Sequence, residues 1–279
     1  MARGALIVLC GLACAPAAAA GTLDGIRERG AITIGYVDGA APFSHVGPDK
    51  QPGGYSVELC KQVAAGIRSQ LSMPKLDIKW VRLTVQDKLD AVAKGRVDLE
   101  CSTTTWTLGR QRHVDFSLIT FVDGATVLAN GKSELFRFAD YEGKRIAAMR
   151  GTTTMDALKQ SLAQRSMKAT VVPVSTRAEG LELLKSGKVD GFASDRIVLI
   201  DLAIQDGGSL RLLDDDFSIE QYALALPRGD HDFRLAVNRV LARLYRTGEI
   251  MSIYDGSLGR LGRPGMLLQA MYFIQAISD

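Results

Sequence analysis

Two spacings of apolar residues alternate along this chain. Residues 31–37 and 76–83 follow the tight spacing of strands, whereas Val57, Cys60, Val63, Ala64 and Ile67 recur at helical spacing over 55–69. The first part therefore reads as a short helix (23–29) stopped by Gly30, a strand (31–37), a Gly- and Pro-rich loop (38–54), a helix (55–69) and a strand (76–83). A helix over 84–94 follows, with Thr84 as its expected N-cap. Gly95 stops it, and the strand 97–101 leads into a polar loop.

The same order recurs further on. Strand 145–149, helix 153–164, strand 169–174, helix 176–185 and strand 191–194 repeat the alternation, and Asp195 opens another helix. Leu89-Asp-Ala-Val-Ala-Lys-Gly-Arg-Val-Asp98 lies over Leu181-Glu-Leu-Leu-Lys-Ser-Gly-Lys-Val-Asp190: a helix end, a glycine stop, a basic residue, then Val-Asp opening a strand. Strand–helix alternation with short connections predicts parallel sheets covered by helices, and hence two α/β lobes of similar topology. Apolar strands at 124–130 and 221–227 flank the second unit. If both cross between lobes, residues 129–222 form an inserted second lobe, and 21–128 with 223–279 form the first. The helices expected at 232–247, 248–254 and 266–277 return to lobe one. Two crossing strands make a hinge, and a small ligand sits in the cleft between such lobes.

The first twenty residues fall outside this pattern. Arg3 precedes an apolar run (5–12) and a stretch of small residues (14–20), which reads as a cleaved secretory signal peptide ending after Ala18 or Ala20. Cys14 raises a lipoprotein alternative, but Gly11 stands where a lipobox wants Leu. The expected location is the periplasm. Loss of Arg3 takes the net charge from +3 to +2, too little to suggest nucleic acid or an anionic membrane. Cys60 and Cys101 remain, either joined in a disulfide or buried separately. His45, His113 and His231 lie far apart and form no metal signature. No metal and no cofactor are expected.

The candidate chemistry sits past the strand ends. Cys101-Ser-Thr-Thr-Thr-Trp-Thr-Leu-Gly-Arg110 gathers hydroxyls, backbone N–H groups and one guanidinium, which pairs bidentately with carboxylates. Thr152 and Thr153 stand at a helix N-terminus, where free N–H groups favour an anion or where a threonine simply caps. Asp195 is either an ordinary N-cap or an acceptor for an ammonium group. Arg110 from one repeat and Asp195 from the other would bracket a zwitterion.

Several motifs resemble one family. Pro42-Phe43-Ser44, Gly54-Tyr55-Ser56-Val57-Glu58-Leu59, Gly95 through Thr104, Arg110-Gln111 with Asp115-Phe116-Ser117, Gly151-Thr152-Thr153 and Asp195 occur in the order found in the polar amino-acid-binding branch of the extracellular solute-binding proteins. These are the soluble receptors of ABC importers. The chain is most similar to the glutamate/aspartate-binding and general L-amino-acid-binding members.

The resemblance implies a two-lobed periplasmic-binding-protein type II fold of the α/β class, two parallel-rich sheets joined by two hinge strands. It implies closure on one L-amino acid and presentation to an inner-membrane permease, with no enzymatic activity and a monomeric protein. By position, Arg110 would clamp the α-carboxylate with Thr105 and Thr153, while Asp195 and Thr103 would hold the α-ammonium. Phe43 would form an apolar wall or else belong to the core. Lys88 and Arg177 stand where acidic-ligand relatives carry Arg and His, and would read the side chain or else sit on solvated helix faces. Val37 replaces a third arginine of those relatives, one charged donor fewer, each worth roughly 1.5–3 kcal/mol. The same fold also hosts periplasmic dehydratases and receptors for sensors, which are the alternatives.

Overall fold

The computed structural model describes residues 21–278, so the expected signal peptide lies outside the described residues. Helix α1 (Thr22–Arg29) ends at Gly30 in the left-handed conformation and feeds β1 (Ala31–Val37). The loop that follows contains a small hairpin, β2 (His45–Val46) and β3 (Pro52–Gly53). Helix α2 (Tyr55–Gln70), β4 (Asp77–Leu83), α3 (Lys88–Ala93) and β5 (Leu99–Glu100) complete the first unit.

Two of these elements are shorter than their periodicity predicts. Thr84 caps the turn ahead of α3: its hydroxyl accepts from the Asp87 N–H at 3.2 Å and its carbonyl from the Lys88 N–H at 3.1 Å. The Asp87 carboxylate accepts from the Thr84 N–H and hydroxyl, making a turn of 84–87, and the helix starts at Lys88. Val97 N–H still bonds back to the Ala91 carbonyl, so strand pairing begins only at Leu99.

The long strand β6 (Asp115–Asn130) enters the second unit, which runs β7 (Arg145–Met149), α4 (Thr153–Gln164), β8 (Thr170–Val174), α5 (Arg177–Lys185), β9 (Gly191–Asp195), α6 (Arg196–Asp206) and β10 (Leu210–Leu212). Strand β11 (Ser218–Leu226) returns to the first, which ends with α7 (His231–Thr247), α8 (Glu249–Leu258) and α9 (Met266–Ile274).

Strands β4-β1-β5 and β9-β7-β8 are each parallel. Between them β11 and β6 pair antiparallel with each other, which joins both sets into one curled mixed sheet of order β4-β1-β5-β11-β6-β9-β7-β8, with β10 on β6. The two parallel-rich sheets joined by two hinge strands are present as expected, and the hinge strands, hydrogen-bonded to each other, leave no break between them. At about 3.3 Å per residue, β6 is on the order of 50 Å long, enough to serve both halves.

Apolar packing marks two lobes. Ile32, Ile34, Val63, Ile67, Val237 and Leu241 share one core. In the second unit the alternation along β7 feeds both faces: Ile146 and Ala148 pack with Leu158 and Leu162 of α4, and Ala147 and Met149 with Leu184 of α5. Along β6, Phe121 still belongs to the first core and Val127 already to the second. On the return, Phe217 packs with the second and Tyr222 with the first. The packing therefore changes over a few residues before 129 and 222.

The repeat holds at the level of single hydrogen bonds. Arg96 N–H bonds to Ala91 carbonyl as Lys188 N–H does to Leu183 carbonyl, and Gly95 and Gly187 are both left-handed. Asp98 accepts from Thr33 N–H at 2.8 Å, and Asp190 from Arg145 N–H at 2.8 Å. Each aspartate ties its strand end to the neighbouring strand. Cys60 and Cys101 form a disulfide that fixes α2 to the loop after β5. Gly54 has φ 108°, and a Cβ there would lie 2.6 Å from the backbone of Pro42 and Phe43, so only glycine lets α2 start against that loop.

Candidate functional site

The lobe-one wall grows from β5. Glu100 is fully buried and accepts from the hydroxyls of Ser102 and of Thr104, the latter at 2.6 Å. Lys88, buried on α3, donates to Ser102 Oγ and to the Thr103 carbonyl, both at 3.0 Å. Further along, Ala223 N–H bonds to the Thr104 carbonyl, and Trp106 N–H to the Gln221 carbonyl, so the loop is pinned to β11. Arg110 starts a short 3-10 turn (Arg110–Arg112) and folds back to donate to the Thr105 carbonyl at 2.8 Å. It is held by its loop rather than solvated.

The lobe-two wall is built from helix N-termini. Gly151, at φ 74°, turns the chain from β7 into α4. Thr152 caps α4 by accepting from Met155 N–H at 3.1 Å and also donates to the Met149 carbonyl at 2.7 Å. That leaves Thr153 to face lobe one. Arg177 follows the cap Thr176 on α5 and is buried, its guanidinium reaching Thr103 Oγ1 at 3.3 Å and the Gly39 carbonyl at 3.5 Å. Asp195 ends β9 in the N-cap position of α6 but makes no capping bond. Its carboxylate accepts from Thr154 at 3.2 Å and faces Arg177 at 3.7 Å.

These residues enclose a cavity of about 20 Å³ between the lobes. Lys88, Thr103, Thr105 and Arg110 line one side; Thr152, Thr153, Arg177 and Asp195 line the other, together with Val85 and Thr154. Of the two places expected for Phe43, the structure has the core. Its ring is fully buried in an edge-to-face cluster with Tyr55, Phe121 and Tyr222, under the hinge rather than on the cavity wall. Val37, too, is a core residue, packed with Leu83 and Val97.

Glu220 was not expected. From β11 its Oε2 accepts from Thr105 at 2.6 Å and from Thr153 at 2.7 Å, one hydroxyl from each lobe, while Ser218 donates to Oε1 at 2.8 Å. On the outer side, Glu220, Trp106, Asp156 and Ile219 line a larger cleft of about 740 Å³ that shares Thr105, Arg110 and Thr153 with the inner cavity.

Burial sets the electrostatics. It lowers the Lys88 pKa to about 8, against the opposing pull of Glu100, and lowers that of Arg110. Burial, then the Asp195 charge, raises the carboxyl of Glu220, and the same two causes bring Asp123 on β6 to about 8. Arg177 Nε is buried without a hydrogen-bond partner. Three cations and one carboxylate thus line the cavity, and one of those cations is under-satisfied. Among the described residues no group of His, Cys, Asp and Glu is placed to hold a metal.

Residues 32–260 match the bacterial extracellular solute-binding proteins, family 3. The chain belongs to that family. An L-glutamate/L-aspartate-binding protein of Pseudomonas aeruginosa is 31% identical over 244 residues, covering 84% of this chain and 79% of that one. A glutamate/aspartate import solute-binding protein of Escherichia coli is 26% identical over 240 residues, covering 85% and 80%. Among solved structures, a solute receptor for L-cysteine of Neisseria gonorrhoeae aligns with a TM-score of 0.77 at 23% identity, over 87% of this chain and 97% of that one, a likeness of fold. As a family-3 solute-binding protein, the chain carries its polar cavity between two lobes. No helix among the described residues is long and apolar enough to cross a membrane.

Proposed function

We propose that the protein is the amino-acid-binding receptor of an ABC importer and that it takes an acidic L-amino acid, glutamate or aspartate. The observation that carries this reading is the charge balance of the cavity: Lys88, Arg110 and Arg177 against Asp195, with Arg177 Nε unpartnered. A ligand with two carboxylates and one ammonium complements it. The names of the relatives from Pseudomonas aeruginosa and Escherichia coli point the same way.

In this reading Arg110 and the α4 N-terminus at Thr152 and Thr153, with Thr105, hold the α-carboxylate. Asp195 and Thr103 take the α-ammonium. Arg177 takes the side-chain carboxylate, helped by Lys88, whose ammonium has a third proton beyond its two bonds. The ligand enters between Arg177 and Asp195, exchanging a loose 3.7 Å pair for two shorter charge-assisted contacts. Closure commits the ligand, and the monomeric closed form is presented in the periplasm to a permease, or to a sensor.

Calorimetry against glutamate, aspartate, glutamine and asparagine tests this. The acidic pair should bind tightest, and Arg177→Ala should weaken glutamate more than glutamine by roughly tenfold or more. If no amino acid binds, the reading fails. One observation favours a second reading. Glu220 is a buried carboxyl with a raised pKa at the cavity rim, as a general acid requires. Product formation from prephenate or arogenate, abolished by Glu220→Gln, would establish a dehydratase instead.

A further inference from the structure

Glu220 presents a problem of proton counting. Its Oε2, Thr105 Oγ1 and Thr153 Oγ1 form a triangle with sides of 2.6, 2.7 and 3.1 Å. Each threonine has one hydroxyl proton. With the carboxylate ionised, both protons are needed to hold its two short sides of 2.6 and 2.7 Å. Neither hydroxyl is then left to donate to a ligand carboxylate held by Arg110, although both line the cavity beside it.

We propose that Glu220 is a proton-linked positioning residue, a latch that joins the lobes and must take up a proton when an anionic ligand binds. The proposal rests on the acidic-ligand reading above. One added proton gives three protons among three oxygens; two of them hold the short sides of 2.6 and 2.7 Å at Glu220, so one threonine hydroxyl is free to turn inward and donate to the ligand. The proton also removes the repulsion between two carboxylates that share Arg110.

The surroundings favour the protonated form. Glu220 is 2% exposed. Burial and then the Asp195 charge from β9 add to the cost of its charge, while the hydroxyl donors Thr105, Thr153 and Ser218 and the Arg110 guanidinium oppose them. From α4, Asp156 lines the same outer cleft. Ser218 satisfies the second carboxyl oxygen, so the group is locked in place rather than turned to solvent.

Linkage fixes the sign. A bound carboxylate raises the pKa of Glu220 further, so between its free and bound values binding takes up a proton, and affinity falls as pH rises. One coupled proton gives up to about a tenfold weakening per pH unit. The window to use is about pH 5 to 7, above the side-chain carboxyl of free glutamate and below the Lys88 value of about 8.

The test is titration calorimetry of the wild-type protein with glutamate across that window, in buffers of low and high ionisation enthalpy. Expected are net proton uptake and a pH-dependent Kd in the wild type, and loss of both in Glu220→Gln, whose amide keeps the shape and the acceptor oxygen. Asp123→Asn, which removes the neighbouring hinge carboxyl with the raised pKa, should keep both. Glutamate binding with no proton uptake and a flat Kd overturns the coupling alone, as does a slope that survives Glu220→Gln. Absence of binding even at pH 5 overturns the acidic-ligand reading and the coupling with it. If Glu220→Gln does not fold, the buffer series on the wild type and on Asp123→Asn still decides: uptake absent from the wild type, or lost in Asp123→Asn, overturns the coupling, and uptake kept in both supports it.

Discussion

The two lobes reach the cavity through the same connection and support it in different ways. Up to Asp98 and Asp190 the repeats agree hydrogen bond for hydrogen bond. Two residues later they diverge. Lobe one continues as Glu100-Cys101-Ser102, a buried carboxylate that gathers two hydroxyls beside Lys88, and a disulfide to α2. Lobe two continues as Phe192-Ala193-Ser194, apolar or small, and its wall is supplied by the first turns of α4 and α5. A shared turn fixes where a strand ends, not what it presents. Lobe one is braced from beneath by side chains, whereas lobe two depends on helix caps.

Cutting the brace should have the largest effect. The Cys60–Cys101 bond closes a loop of 41 residues, worth about 4 kcal/mol on the chain-entropy account. The double variant Cys60→Ser, Cys101→Ser should lower Tm by on the order of 10 °C. Hydrogen exchange should speed up around α2 and β5 and stay unchanged in α4 and α5. Equal loosening of both lobes would show that the disulfide is not a lobe-one device.

The brace is also charged, which sharpens the contrast. Lys88 has its pKa lowered to about 8 from 10.5, mainly by burial. Between those values the unfolded chain binds more protons than the folded one, so this group makes stability rise with pH from about 8 to 10.5, by on the order of 3 kcal/mol. Lys88→Met should flatten that rise in chemical denaturation. Next in size, Arg110→Ala should weaken glutamate by about a hundredfold with little change in Tm, because its own bond to the Thr105 carbonyl lies within one loop.

Most of the architecture was legible because it is periodic. The strands 31–37 and 145–149 and the helix 153–164 coincide with their elements, since apolar spacing and glycine stops determine them locally. The short elements were less legible. Thr84 does accept from the Asp87 N–H as a cap would, but the turn it caps, 84–87, precedes the helix, which starts only at Lys88, and the spacing of apolar residues does not separate turn from helix. Phe43 sat in a family motif, but its ring is needed to fill the space under the hinge. Glu220 was missed because its partners, Thr105 and Thr153, lie 115 and 67 residues away. The one available signal was an acidic residue just ahead of the apolar run Tyr222-Ala-Leu-Ala-Leu226.

The smallest expected effect tests the other half of the contrast. Thr152 spans the end of β7 and the start of α4, donating to the Met149 carbonyl and accepting from Met155 N–H. Thr152→Ala removes both bonds and should cost about 1 kcal/mol. The next hydroxyl, Thr153, is the one that crosses to Glu220 and Thr105, so fraying of this turn should displace it and weaken glutamate a few-fold. Thr176 caps α5 in the same manner, accepting from Glu179 N–H at 3.1 Å. Thr176→Ala should cost similar stability, and should weaken glutamate more than glutamine, because Arg177 rides on that turn. If neither cap variant changes affinity while both lower Tm, the second wall is held by its packing against β11 and β9 and not by its caps. The difference between the lobes would then lie only in their chemistry.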